Sequence, residues 1–168
     1  MDKQIYLVGF MGSGKSTIGP VLAREMKRPF HDLDELIEKE QKQTIADIFD
    51  SQGEPFFREL ESHSLVQSQY LEACVMALGG GAFISEFNRN FISKHGISVW
   101  LRVPLQLAKT RCEDSEDRPL ARDLGRWASL FKVREMHYSL ADIQVEVEWK
   151  SPDQIAAEVQ ERLEELAG

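Results

Sequence analysis

Gly9-Phe10-Met11-Gly12-Ser13-Gly14-Lys15-Ser16-Thr17 is the stretch on which the reading of this chain turns. It has a glycine, four residues, a second glycine, a lysine and a hydroxyl residue, in that order. The apolar run Gln4 to Val8 comes before it and reads as a buried parallel strand. Residues 14–27 come after it, with Ile18, Val21, Leu22 and Met26 at helical spacing. A strand, a glycine-rich turn and a helix in succession point backbone amides and a helix N-terminus at one spot. That arrangement suits a phosphate chain. Gly12, Ser13, Gly14, Lys15, Ser16 and Thr17 are its expected contacts, with Lys15 as the mobile cation and the Ser16 hydroxyl as a magnesium ligand.

Working outward, the chain alternates short apolar runs with helical patterns. Phe30 to Leu33 reads as a second strand, 73–78 as a third, 97–101 as a fourth and 141–147 as a fifth. Between them helices are expected over 34–42, 45–50, 53–70, 85–93, 104–112 and 126–139, with a last one over 152–166. Pro55 falls in the first turn of the long one, where a missing N–H costs little. A turn is expected at His95-Gly96. Such alternation implies right-handed crossovers and a parallel sheet covered on both faces. Taken by chain order, the second strand lies beside the first. Residues 113–125 are polar, charged and without an apolar face, so they read as a loop.

The chain has 168 residues, enough for one domain with one core. Its net charge of −8 leaves no basic excess to neutralise nucleic-acid phosphates. No apolar run approaches the ~18 residues that would span a bilayer, and no signal segment is visible, so no membrane partner and a cytoplasmic setting are expected. Of the two cysteines, Cys74 sits in an apolar run and is expected in the core; Cys112 lies in a charged stretch that predicts exposure. Neither has neighbours at zinc-ligand spacing.

Three further features fall near the carboxyl ends of strands, the edge where open α/β sheets bind ligands. Asp32-Leu33-Asp34 follows the second strand; the pair either points into the crevice, one carboxylate toward metal and one toward an acceptor, or caps a helix. Arg58 and Glu61 are three apart on a helix, among Phe49 and Phe57. They form either a surface ion pair or a fork for a planar anion. Gly79-Gly80-Gly81 closes the third strand, and three glycines have a high entropic cost for a mere connection.

With these residues in view, the chain resembles the shikimate kinase family, a group of phosphate-loop enzymes related to nucleoside-monophosphate kinases. The resemblance rests on GFMGSGKSTIG at 9–19, DLD at 32–34, IADIFDSQGEPFFRELE at 45–61, LGGG at 78–81 and DRPL at 117–120. It implies a three-layer α/β/α fold with a five-stranded parallel sheet in order 2-3-1-4-5, an acceptor region over about 32–61 and a mobile lid over about 113–125. The implied reaction moves the ATP γ-phosphoryl group to the 3-hydroxyl of shikimate, in the chorismate pathway to aromatic amino acids, with Mg2+ as cofactor. Asp34 then binds the acceptor hydroxyls and acts as base, and Asp32 holds magnesium through water. Arg58, steadied by Glu61, takes the shikimate carboxylate with Arg134 as a second arginine. Phe49, Phe57, Gly79, Gly80 and Gly81 border the acceptor. Arg118 closes on the phosphates as a catalytic residue, and the adenine lies between Arg111 and the turn ending at Pro152. A monomer is expected. Two alternatives stand beside this reading: a gluconate-type small-molecule kinase, and a nucleotide-binding regulator without catalysis.

Overall fold

The computed structural model describes residues 3–113 and 124–168. Its elements are β1 (Gln4–Val8), α1 (Lys15–Glu25), β2 (Phe30–Asp32), α2 (Leu33–Gln41), α3 (Ile45–Gln67), β3 (Val75–Ala77), α4 (Glu86–His95), β4 (Gly96–Arg102), α5 (Leu105–Glu113), α6 (Leu124–Tyr138), β5 (Ile143–Glu146) and α7 (Pro152–Ala167). The strands form one sheet in the order β2-β3-β1-β4-β5, and every pairing is parallel. The expected order is found. Chain order misplaced β2: β3 stands between it and β1, because the chain crosses β3 through α1 before it returns.

β1 is central and buried along its whole length. Ile5 is in register with Val75 on one side and Ile97 on the other. Gln4, polar at a buried position, is satisfied there: its amide donates to the carbonyls of Ser68, Leu71 and Glu72 and accepts from the Cys74 N–H at 2.7 Å. β5 is an edge strand and alternates, with Ile143 and Val145 buried and Gln144 and Glu146 exposed. The helices flank the sheet; α1 packs along α7, and Arg24 reaches Asp153 at 3.4 Å.

α3 is two helices joined at Gly53, whose φ of 83° and ψ of 169° break the helical path. Thr44 caps the first part by accepting the Asp47 N–H at 3.1 Å. The expected division into 45–50 and 53–70 therefore reflects a real bend, although regular helix stops at Gln67 and a single 3₁₀ turn covers Ser68–Tyr70.

Two expectations are corrected. There is no separate turn at His95-Gly96: α4 runs directly into β4. Gly96 serves close packing instead, since a methyl there would lie 2.5 Å from the Gln4 carbonyl oxygen and the Tyr6 ring. Cys112 is buried, because the inner face of α5 turns it and Ala108 into the core while Thr110 and Arg111 stay exposed on other faces.

Candidate active site

β1 ends where the glycine-rich loop begins. Gly9, Gly12 and Gly14 take φ of 151°, 78° and 93°, the region open to glycine at little cost. Space reinforces the choice: a methyl on Gly12 would lie 2.9 Å from the Ala108 carbonyl oxygen. Gly14 stands at the N-cap of α1 and offers no side-chain acceptor, so the orphan amides of that first turn face the loop. Lys15 folds over the same mouth. Its Nζ donates to Gly9 O at 2.7 Å and Phe10 O at 3.2 Å. Ser13 is buried beneath it, and Ser16 and Thr17 are exposed on the first helical turn. Arg111, from α5, donates to Gly12 O at 3.0 Å, which fixes it on the loop. Pro152 occupies the first position of α7, after a capping box between Ser151 and Gln154, on the loop that leaves the carboxyl end of β5.

Asp32 and Asp34 divide the two roles left open by their spacing. Asp32 is the cap of α2: its Oδ1 accepts the Asp34 N–H at 2.9 Å. Asp34 turns into the crevice, toward the triple glycine. A methyl on Gly79 would lie 3.0 Å from both Asp34 Oδ1 and Glu61 Oε2. One on Gly80 would lie 2.7 Å from Arg134 Nη1, and one on Gly81 2.5 Å from the Arg58 Cζ. Three consecutive residues of bare backbone thus bring together two carboxylates from α2 and α3 and two guanidinia from α3 and α6. Ion pairing on the outer surface does not describe Arg58 and Glu61: they meet at 2.9 Å, and the Glu61 side chain is only 1% exposed.

The charges here are displaced from their usual behaviour. Burial, reinforced by the charge of Asp32, pushes the Asp34 carboxyl up to about 6, against the pull of Lys15 and Arg58. Burial raises Glu61 to about 7, with Arg58 opposing and Asp34 assisting. Burial also lowers the Arg134 guanidinium from its ordinary value. For Arg58 burial acts in the same downward sense, but Glu61 and Glu54 outweigh it and the net shift is upward. Buried polar atoms without a hydrogen-bond partner are uncommon in folded proteins. Among the described residues, Asp34 Oδ1, Glu61 Oε2 and Arg134 Nε are three such atoms, and all three border this crevice. An anion that also carries hydroxyl groups would satisfy them.

Phe49 and Phe57 pack at 4.7 Å between ring centroids with their planes tilted by 39°, and the Arg58 guanidinium lies 5.2 Å over Phe57. The structure therefore gathers Asp34, Phe57, Arg58, Gly79, Gly80, Gly81 and Arg134 in one place, with Phe49 behind. Arg118 and the lid residues 114–123 lie outside the described residues. Sequence reading missed Glu54, which grips Arg58 from the turn after Gly53 at 3.1 Å. It also gave no role to Tyr138, whose hydroxyl donates to Gly80 O. The i, i+4 spacing of Glu54 with Arg58, and of Arg134 with Tyr138, was the available signal.

The family model described as shikimate kinase matches residues 11–164. A shikimate kinase of Sulfurihydrogenibium sp. is 41% identical over 158 residues, covering 94% of this chain and 95% of the relative. The crystal structure of shikimate kinase from Aquifex aeolicus superposes with a TM-score of 0.89 at 40% identity, covering 98% of each chain. The Acinetobacter baumannii shikimate kinase in complex with shikimate gives 0.91 at 33% identity, over 98% of this chain and 94% of that one. By its match to the family model, by near full-length identity and by fold, the chain belongs to the shikimate kinase family.

Proposed function

We propose that the enzyme transfers the γ-phosphoryl group of ATP to the 3-hydroxyl of shikimate, yielding shikimate 3-phosphate and ADP, with the residues of the crevice in the following roles. Shikimate is a polyhydroxy carboxylate, and the ledge of Gly79, Gly80 and Gly81 offers two guanidinia and two carboxylates within a few ångströms of bare backbone. That juxtaposition carries the proposal. Arg58 and Arg134 take the carboxylate, and Glu61 and Glu54 hold the Arg58 fork in place. Phe49 and Phe57 wall the apolar face of the ring.

Asp34 accepts a hydrogen bond from the acceptor hydroxyl. As the hydroxyl oxygen forms its bond to the γ-phosphorus, the bridging P–O bond breaks, ADP departs, and the proton passes to the Asp34 carboxylate. Lys15 and Arg118 neutralise the charge that spreads over the transferring group. Arg111 and Pro152 border the adenine.

The donor set fits a magnesium ion bound mainly through the nucleotide. Ser16 supplies a hydroxyl on α1 and Asp32 a carboxylate with one oxygen committed to its cap. Among the described residues no cluster of three or more acidic, histidine or cysteine side chains could hold a metal alone. Magnesium prefers this mode, with few protein ligands and several phosphate and water oxygens. When bound it screens the β- and γ-phosphate oxygens.

The proposal extends to a monomer working in the cytoplasm. Among the described residues no helix is long and apolar enough to cross a membrane, and both cysteines are buried thiols. ATP consumption with magnesium, measured separately with shikimate and with gluconate, tests the acceptor. Turnover confined to gluconate would replace shikimate as the substrate. Shikimate raising the melting temperature with no phosphate transferred would favour a non-catalytic regulator.

A further inference from the structure

The two arginines of the crevice are held by opposite means. Arg58 has two carboxylates, whereas Arg134, only 9% exposed, has no ion pair with either. Its Nε is without a hydrogen-bond partner, and Arg58 stands on the adjoining glycine of the ledge. Two guanidinia beside consecutive Cα atoms, ~3.8 Å apart, repel each other. Tyr138, one turn on in α6, hydrogen-bonds Arg134 from its own helix, and a second partner on another element keeps the guanidinium aimed at Gly80.

That partner is in the phosphate loop. Phe10 is 2% exposed, and the Arg134 Cζ lies 5.7 Å from its ring centroid, within reach of a cation–π attraction strengthened by desolvation. The edges and faces of Phe10 also meet Trp127 and Phe131 of α6, each at 5.0 Å and in a T-shaped arrangement. Trp127, Phe131, Arg134 and Tyr138 recur at intervals of four, three and four, so one stripe of α6 faces the loop and the triple glycine together. The backbone of Phe10 belongs to the nucleotide side: its carbonyl accepts from the Lys15 Nζ at 3.2 Å and from the Ser13 N–H at 3.1 Å.

We infer that Phe10 is a positioning residue: its ring seats Arg134 for the acceptor carboxylate, so that one residue of the phosphate loop sets acceptor affinity. The inference rests on Arg134 binding that carboxylate. Phe10→Leu keeps most of the side-chain volume and removes the ring. In the intact enzyme with magnesium it raises the Michaelis constant for shikimate about 5- to 10-fold, the loss expected for a desolvated cation–π contact, and that for ATP less than about 2-fold. In the double variant Phe10→Leu with Arg134→Ala, the constant for shikimate matches that of Arg134→Ala alone, because the ring acts only through the arginine.

A merely structural role would raise both Michaelis constants together or add to the loss in the double variant, and either result overturns the inference. The underlying reading fails separately, if Arg134→Ala leaves the shikimate constant unchanged. A raised constant in Arg134→Ala with none in Phe10→Leu removes the positioning role alone. Should Phe10→Leu fold poorly by thermal melting, Phe131→Leu tests the same ring cluster from the α6 side. It is expected to shift the shikimate constant in the same direction by about 2- to 3-fold, and an unchanged constant there counts against the inference.

Discussion

The nucleotide side of the crevice is built largely from backbone and the acceptor side from side chains. Nine consecutive residues, Gly9 to Thr17, supply most of the first: three glycines at positive φ, a helix N-terminus and one lysine. The second draws Asp34 from α2, Arg58 and Glu61 from α3, Arg134 and Tyr138 from α6, and seats them on a ledge after β3. The first can be held rigid by local geometry. The second depends on four separate packing events being right, and on the mutual neutralisation of buried charges. Damage to the two sides should accordingly look different.

The largest expected effect joins both sides. Asp34→Asn should lower kcat by about 10²- to 10⁴-fold, the range for loss of a general base, while the melting temperature is held or raised because a buried unpartnered carboxylate is gone. A rate equal to the parent's removes Asp34 from the proton path. Lys15→Ala should cost about 10²- to 10³-fold in kcat, as for other lost electrostatic contacts to a transition state. Shikimate affinity measured without nucleotide should be unchanged; a matching loss there would mean the two sides are not separable.

Arg58→Ala should raise the Michaelis constant for shikimate about 10- to 100-fold, the worth of a charged hydrogen-bonding group, against a small change for ATP. Equal changes would refute its role as carboxylate anchor. Gly81→Ala sharpens the same point without touching a charge. The new methyl would meet the Arg58 guanidinium, so the arginine must move, and about a 10-fold rise for shikimate is expected from a displaced anchor. If steady-state constants do not change, the close approach has no functional meaning.

The smallest effect concerns protons. The Glu61 carboxyl, ordinarily near 4.5, is pushed up to about 7, chiefly by burial. The stability contributed by its protonated form is complete below the unfolded value and disappears as pH rises through 7. Between pH 6 and 8 the parent should therefore lose about 1 kcal/mol relative to Glu61→Gln, which cannot titrate. Denaturant melts at both pH values check this, and the difference in slope is the readout. Parallel behaviour of the two proteins would show that Arg58 keeps Glu61 ionised throughout.

The same contrast explains what was legible beforehand. The phosphate loop is local, so its glycines, Lys15 and the flanking strand and helix could be read from spacing alone. Asp34 and Arg58 stood out by their place near the strand ends, with alternatives left open, and Arg134 needed the family pattern, since their meeting point is made by chain segments about 20 to 100 residues apart. Spacing could not decide between cap and crevice for Asp32 and Asp34, and the structure assigns one role to each. Phe10 was hidden inside the motif, where only the glycines, lysine and hydroxyls carry the pattern. Its partners lie more than 110 residues downstream. Cys112 was misjudged because its neighbours in sequence are charged, whereas a helix sorts residues by face. Arg118 remains a sequence-based proposal.

The placement of β1 has a consequence for how the chain is made. The centre of the sheet is synthesised before the strands that flank it, and these arrive much later: Ile5 waits for Val75 on one edge and Ile97 on the other. Until Arg102 has emerged, an apolar strand with both hydrogen-bonding edges open must be kept from pairing with another copy. Such non-local pairing is slow to form. Cells overproducing the protein should thus accumulate aggregates seeded by the β1 segment. The residues that give the phosphate loop its rigid footing are also those that leave the nascent chain most exposed to misassociation.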